Sequence, residues 1–132
     1  MYRYATALAG NPAETYRQID LVSRAGGADP HQLVGLLYEE GVRALETAAW
    51  AVENKQYQIK SERITRATAI LFALESGLDF TRGGDVSRTL ATLYRGLRES
   101  VVAASIGQDP APFRTAAQSL REIAEAWASV RA

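Results

Sequence analysis

The fold class predicted here is all-α: an antiparallel up-down-up-down four-helix bundle with a short N-terminal segment or helix packed on it. Three observations predict it. Four stretches of roughly 20 residues carry apolar residues at alternating spacings of four and three, the mark of a helix buried along one stripe. Breaks of a few residues, rich in Gly, Asn, Asp and Pro, separate those stretches. No stretch sustains the period-two alternation of a half-buried strand. Short connections between long helices favour antiparallel neighbours, hence a bundle over residues 29–132 with residues 1–28 as a separate N-terminal segment.

Within residues 1–28, Gly10-Asn11-Pro12 and Gly26-Gly27 break any long element, leaving room for a short helix over about 13–24. Asp29-Pro30 then opens the first long helix. Asp29 is a good cap, Pro30 suits the first turn, and Gln32 stands where a capping box needs it. Val34, Tyr38, Gly41, Leu45, Ala48 and Val52 form its seam, and Asn54-Lys55-Gln56 connects it to the next helix. There the seam is Ile64, Ala67, Leu71, Leu74 and Leu78, ended by Gly83-Gly84. Asp85 is expected in the first turn of the third helix, where a carboxylate favours the dipole. Its expected core stripe is Val86, Leu90, Leu93, Leu97, Val101 and Ala104. After Gly107, Asp109-Pro110 starts the fourth helix, with Phe113, Ala116 or Ala117, Leu120, Ile123, Trp127 and Val130 facing inward.

Composition removes several function classes. Fifteen basic residues balance fifteen acidic ones, and a zero net charge lacks the basic excess that nucleic-acid binding draws on. With no cysteine there is no disulfide, thiolate nucleophile or sulfur-ligated metal. The single histidine, His31, cannot build a di-iron bundle site, and its place in a first turn reads as solvated. Glu39 and Glu40 point about 100° apart on a helix, so they read as a solvated face rather than an acid/base pair. No phosphate loop, signal peptide or membrane-spanning run is present. The expectation is a cytoplasmic protein without enzyme activity, cofactor or metal, that neither binds nucleic acid nor inserts in membranes.

One feature points to binding. Leu33, Leu36 and Leu37 widen the apolar arc of the first helix beyond its core stripe, and Ile70 and Phe72 do the same on the second. Each side chain buried is worth roughly 1.5–3 kcal/mol, so a cover is expected: the N-terminal segment, a second copy, or a partner helix.

The stretch Asp29-Pro30-His31-Gln32-Leu33-Val34-Gly35-Leu36-Leu37-Tyr38-Glu39-Glu40-Gly41 resembles the signature of the flagellin export chaperone family, FliS. Tyr16, Ala67-Thr68-Ala69-Ile70-Leu71, Leu90-Ala91-Thr92-Leu93-Tyr94 and Ala126-Trp127 stand in register with it, and the resemblance covers about residues 13–130. Asp29 stands where the family usually has serine, and Arg95-Gly96-Leu97 follows Tyr94 where an acidic residue and an aromatic are usual. The resemblance implies a cytoplasmic chaperone that binds the disordered C-terminal segment of flagellin, prevents premature polymerisation and delivers it to the flagellar type III export apparatus. It implies a flagellin groove at Leu33, Leu36, Leu37, Ile70 and Phe72, with Tyr2 and Tyr4 as a displaceable lid. Tyr16 matches a tyrosine associated with docking on the export gate, or else packs as part of that lid. A chaperone or adaptor for another client, and a homodimeric structural bundle, are the alternatives; the expected state is a monomer or weak homodimer.

Overall fold

The computed structural model describes residues 29–130. They form four helices: α1 (Pro30–Glu53), α2 (Tyr57–Ser76), α3 (Phe80–Ala104) and α4 (Ala111–Ser129), with no strand among the described residues. Helix α1 packs on α2 and α4, α2 on α3, and α3 on α4, closing a four-membered ring. The sense of packing follows from the cross-links. Arg114 pairs with Glu53 and Arg121 with Glu46, so α4 descends as α1 rises. Glu75 meets Arg95 and Arg98 while Lys60 Nζ donates to the Gly107 carbonyl at 2.7 Å, so α2 and α3 are likewise antiparallel.

The expected capping box is present: Gln32 N–H donates to Asp29 Oδ1 at 2.8 Å and Asp29 N–H to Gln32 Oε1 at 3.1 Å. The seams of α1 and α2 are buried as the periodicity predicts, with Val34, Tyr38, Leu45, Ala67, Leu71 and Leu74 at the centre. Gly41 is there for space. A Cβ on it would lie 2.8 Å from Leu120 Cδ2 and 3.2 Å from Ile70 Cγ2, so α1 approaches both neighbours across a hydrogen atom.

Three expectations fail. Helix α2 stops at Ser76, and the third helix begins at Phe80 rather than after the glycines. The cause is Asp79, whose Oδ1 accepts from the backbone N–H of Thr81 and Arg82, both at 3.1 Å. The chain then kinks at Gly84, whose φ of 51° suits glycine, and Asp85 follows the kink instead of opening the helix. The buried face of α3 coincides with the expected stripe only in part. Val101 is buried as expected, and Leu90, Leu97 and Ala104 pack half-buried against the core, but the other inward positions go to Ser87, Ala91 and Tyr94, one residue round the helix, leaving Val86 67% and Leu93 42% exposed. The polar members of that face are satisfied, Ser87 Oγ by the Asp79 carbonyl at 2.9 Å and Tyr94 by the Tyr38 hydroxyl at 2.5 Å, so burial does not penalise them. Glu40 is buried rather than solvated, held by Arg66 at 2.7 Å and Arg43 at 3.5 Å; Glu39 is exposed.

Candidate functional site

Two sets of ion pairs fix how α3 and α4 are rotated. On α3, Arg95 and Arg98 turn toward α2, where Glu75 accepts from Arg95 Nη2 at 2.8 Å and from Arg98 Nη1 at 2.5 Å. Burial pushes the Glu75 carboxyl up, but these two guanidinium hydrogen bonds and their charges outweigh it and hold it below its ordinary value. Leu93 and Leu97 lie two residues either side of Arg95, about 200° round the helix, and therefore on the flank toward α4. Val86 and Leu90 continue that stripe by spacings of three and four.

Helix α4 is oriented by ion pairs in the same way. Arg114 and Arg121 turn toward α1, so Ile123, two residues beyond Arg121, and Val130 lie on the flank toward α3. The two apolar flanks face one seam. It is also the thinnest of the four helix interfaces. Leu90, Leu97 and Ile123 lean on the core from this side, while Val86, Leu93 and Val130 are left in solvent, the last against the inward position its spacing suggests.

An aromatic cluster closes the end of the bundle where α1 begins and α4 finishes. His31 stacks on Trp127 with ring centroids 4.5 Å apart and planes at 12°. Trp127 Nε1–H donates to the His31 carbonyl at 2.9 Å, and His31 Nε2 lies 3.0 Å from the Trp127 carbonyl, which can only accept. The Trp127 ring also meets Tyr38 edge-on at 6.1 Å. Burial pushes the Tyr38 hydroxyl up to about 12, with the Tyr94 hydrogen bond acting in the opposite sense. His31 is thus a half-buried clamp between two helix ends, not the solvated residue expected from its first-turn position.

The five residues predicted for the groove do not form one surface. Leu37 and Ile70 have 0% exposure and belong to the core, because α1 turns Leu37, and α2 turns Ile70, toward the interior. Leu36 packs half-buried against that core and Leu33 is half-buried in the first turn. Phe72 is 59% exposed on α2, with the Arg98 guanidinium 5.5 Å above its ring, so it lies on the α2–α3 side. Tyr2, Tyr4 and Tyr16 lie outside the described residues. What sequence reasoning missed is the exposed part of the α3 stripe, Val86 and Leu93, which it places in the core. The available signal was a second inward-capable set on the same helix, Ser87, Ala91 and Tyr94, each one residue beyond Val86, Leu90 and Leu93. No group of histidine, cysteine or acidic residues suited to a metal occurs among the described residues, and no described helix is long and apolar enough to cross a membrane.

Residues 12–132 match the family model described as flagellar protein FliS. The chain belongs to the FliS family. Among curated relatives, the flagellar secretion chaperone FliSB of Pseudomonas aeruginosa is 30% identical over 112 residues, 85% of this chain and 89% of that protein. The flagellar secretion chaperone FliS of Salmonella typhimurium is 29% identical over 118 residues, covering 89% and 87%. Its counterpart in Vibrio cholerae is 27% identical over 114 residues, covering 86% and 84%. FliS proteins are chaperones rather than enzymes, in keeping with a site built from exposed apolar side chains.

Proposed function

We propose that this FliS protein is a cytoplasmic export chaperone that binds the C-terminal segment of flagellin, keeps it from polymerising and delivers it to the flagellar type III export apparatus. The observation that carries the reading is the apolar α3–α4 seam, exposed at Val86, Leu93 and Val130, in a member of a secretion-chaperone family. A disordered amphipathic segment loses on the order of 1–2 kcal/mol of backbone entropy for each residue it orders. Covering the exposed half of one such side chain returns about 1 kcal/mol. A useful complex must therefore bury the client's own apolar face along a long seam, the helix-in-groove mode. Leu33, Leu36 and Phe72 extend the proposed footprint onto neighbouring faces. A displaceable cover by Tyr2 and Tyr4, and export-gate docking through Tyr16, belong to the same proposal.

The test is a calorimetric titration of the full chain with a peptide spanning the flagellin C-terminal segment, with circular dichroism to follow helix formation. Binding is expected, and Leu93→Asp should abolish it while leaving the bundle folded, since Leu93 is outside the core. Absence of heat at concentrations on the order of 10 μM would sink the assignment.

A further inference from the structure

Two ion pairs join α1 to α4, Glu46 to Arg121 and Glu53 to Arg114. The paired residues stand seven apart on each helix, which fixes the level of everything between them. Trp50 follows Glu46 by four residues and precedes Glu53 by three, so it shares their flank of α1. Ala117 and Gln118 follow Arg114 by three and four and therefore stand level with Trp50 on α4. The Trp50 ring is 48% exposed, a large apolar surface left in water. Beside it lies an open hollow of about 390 Å³, lined by Glu46, Arg114, Ala117, Gln118 and Arg121 but not by Trp50. The small, buried Ala117 side chain leaves the room there. An exposed indole and a hollow that can take one thus stand side by side at one height, and the ring does not fill the hollow of its own chain.

That arrangement is self-complementary under a two-fold axis, where residue i of one copy meets j of the other and j meets i. An axis parallel to the helices, laid over the α1–α4 seam, carries the α1 of a second copy onto α4 without changing its height. Trp50 of the second copy then comes over Ala117 and Gln118, its Glu46 over Arg121 and its Glu53 over Arg114. Arg43, seven residues before Trp50, comes over Glu125, seven residues beyond Gln118. The ion pairs within one chain do not exhaust these groups. All four side chains of the two pairs are about half in water, and Arg43 is exposed. Glu125 is exposed too and makes no ion pair among the described residues. A second copy necessarily brings the matching order, negative over both α4 arginines, positive over Glu125 and an indole between the arginines.

We infer that the outer α1–α4 face is the contact surface of a homodimer in which each copy seats Trp50 in the hollow on the other's α4. Each hollow is complete only when the second copy fills it, with the aromatic anchor at the centre and the charges at the rim. A contact along helices about 30 Å long falls at the low end of specific interfaces, about 1,200 Å², and so gives a weak, micromolar dimer. The α3–α4 seam lies on the other flank of α4 and stays uncovered in both copies.

Sedimentation of the full chain from about 1 to 200 μM should show a monomer passing to a dimer, with a midpoint on the order of 10 μM. Trp50→Ser should raise that midpoint at least tenfold. Arg43→Glu and Glu125→Arg should each weaken the dimer about fivefold, since each sets two like-charged pairs across the interface. Mixing those two variants should restore association, because Arg43→Glu in one copy then faces Glu125→Arg in the other at both contacts. Leu93→Asp, on the α3–α4 seam, should leave the midpoint unchanged. Circular dichroism checks that each variant remains helical, and the mixture guards against a variant that associates poorly because it is loosened. A chain that stays monomeric through the whole range would overturn the inference, whether a client, a residue of the N-terminal segment or water covers Trp50. So would a dimer indifferent to Trp50→Ser, a dimer lost in Leu93→Asp, or a mixture no better associated than its components. Sedimentation needs no client, so the dimer can fail while the α3–α4 seam still binds the flagellin peptide, and the reverse.

Discussion

Replacing Gly41 with alanine tests how closely α1 is packed. The added Cβ would sit 2.8 Å from Leu120 Cδ2 and 3.2 Å from Ile70 Cγ2. Both neighbours have 0% exposure and sit within the core cluster, so neither can swing into solvent to make room. Overpacking of this kind costs about 1–3 kcal/mol. Against that, alanine gains about 1 kcal/mol over glycine in a helix interior. The net expectation is a loss of roughly 1 kcal/mol, a fall in Tm of about 4 °C for a domain of this size. Gly96→Ala is the matched control: it carries the same propensity gain with nothing within 4 Å, and should stabilise by about 0.5–1 kcal/mol. Urea unfolding followed by far-UV circular dichroism measures both. Leu120→Ala alone should cost about 2–5 kcal/mol, but with Gly41→Ala the double variant should lose less than the sum, since the alanine methyl fills part of the vacated space. If Gly41→Ala is as stable as the parent, or the double variant is strictly additive, the close approach of α1 to its neighbours is not the constraint described here.

Three further outcomes follow from individual side chains. Tyr38 is buried neutral with its hydroxyl raised to about 12, above its ordinary value of 10.0. The stability it contributes is therefore intact below pH 10 and is lost as pH rises toward 12, by roughly 3 kcal/mol at about 1.4 kcal/mol per unit. Tyr38→Phe should flatten that alkaline decline in a pH series of urea midpoints. Glu75, held below its ordinary range, contributes stability at neutral pH that disappears as acid protonates it; Glu75→Gln should remove that part of the acid dependence, a change of at most about 1 kcal/mol given the exposure of Arg95. Lys55 holds a φ of 56° where α1 ends, and Lys55→Gly should raise the thermal midpoint through a gain of about 1 kcal/mol.

Much of the fold was legible because the information is local. The Asp29 capping box, the Asn54–Gln56 connector and the seams of α1 and α2 depend on spacings within one helix, and each appears in the structure where the spacing put it. Helix α3 was not legible in the same way. Counting hydrophobic residues favours Val86, Leu90, Leu93 and Leu97 for the core, yet Tyr94 and Ser87 take the inward positions because Tyr38 and the Asp79 carbonyl wait there to pair with them. Such partners lie 56 and 8 residues away in the chain and do not show in a one-helix pattern. The candidate site inherits the same limit. An excess of apolar surface could be inferred from the sequence, but the groove residues named from it included Leu37 and Ile70, which the bundle buries completely.

The sequence by itself determined that this chain is helical, where α1, α2 and α4 start, and that it lacks the residues for thiol chemistry or a di-iron site. It also carried the resemblance to a family of flagellar chaperones. Only the tertiary structure decided which stripe of α3 faces inward, and so which leucines are left for a partner. The reason is physical. Helical periodicity fixes which residues share a face, but the rotation of a helix about its own axis is set by contacts with its neighbours, here the pairing of Arg95 and Arg98 with Glu75 and of Tyr94 with Tyr38.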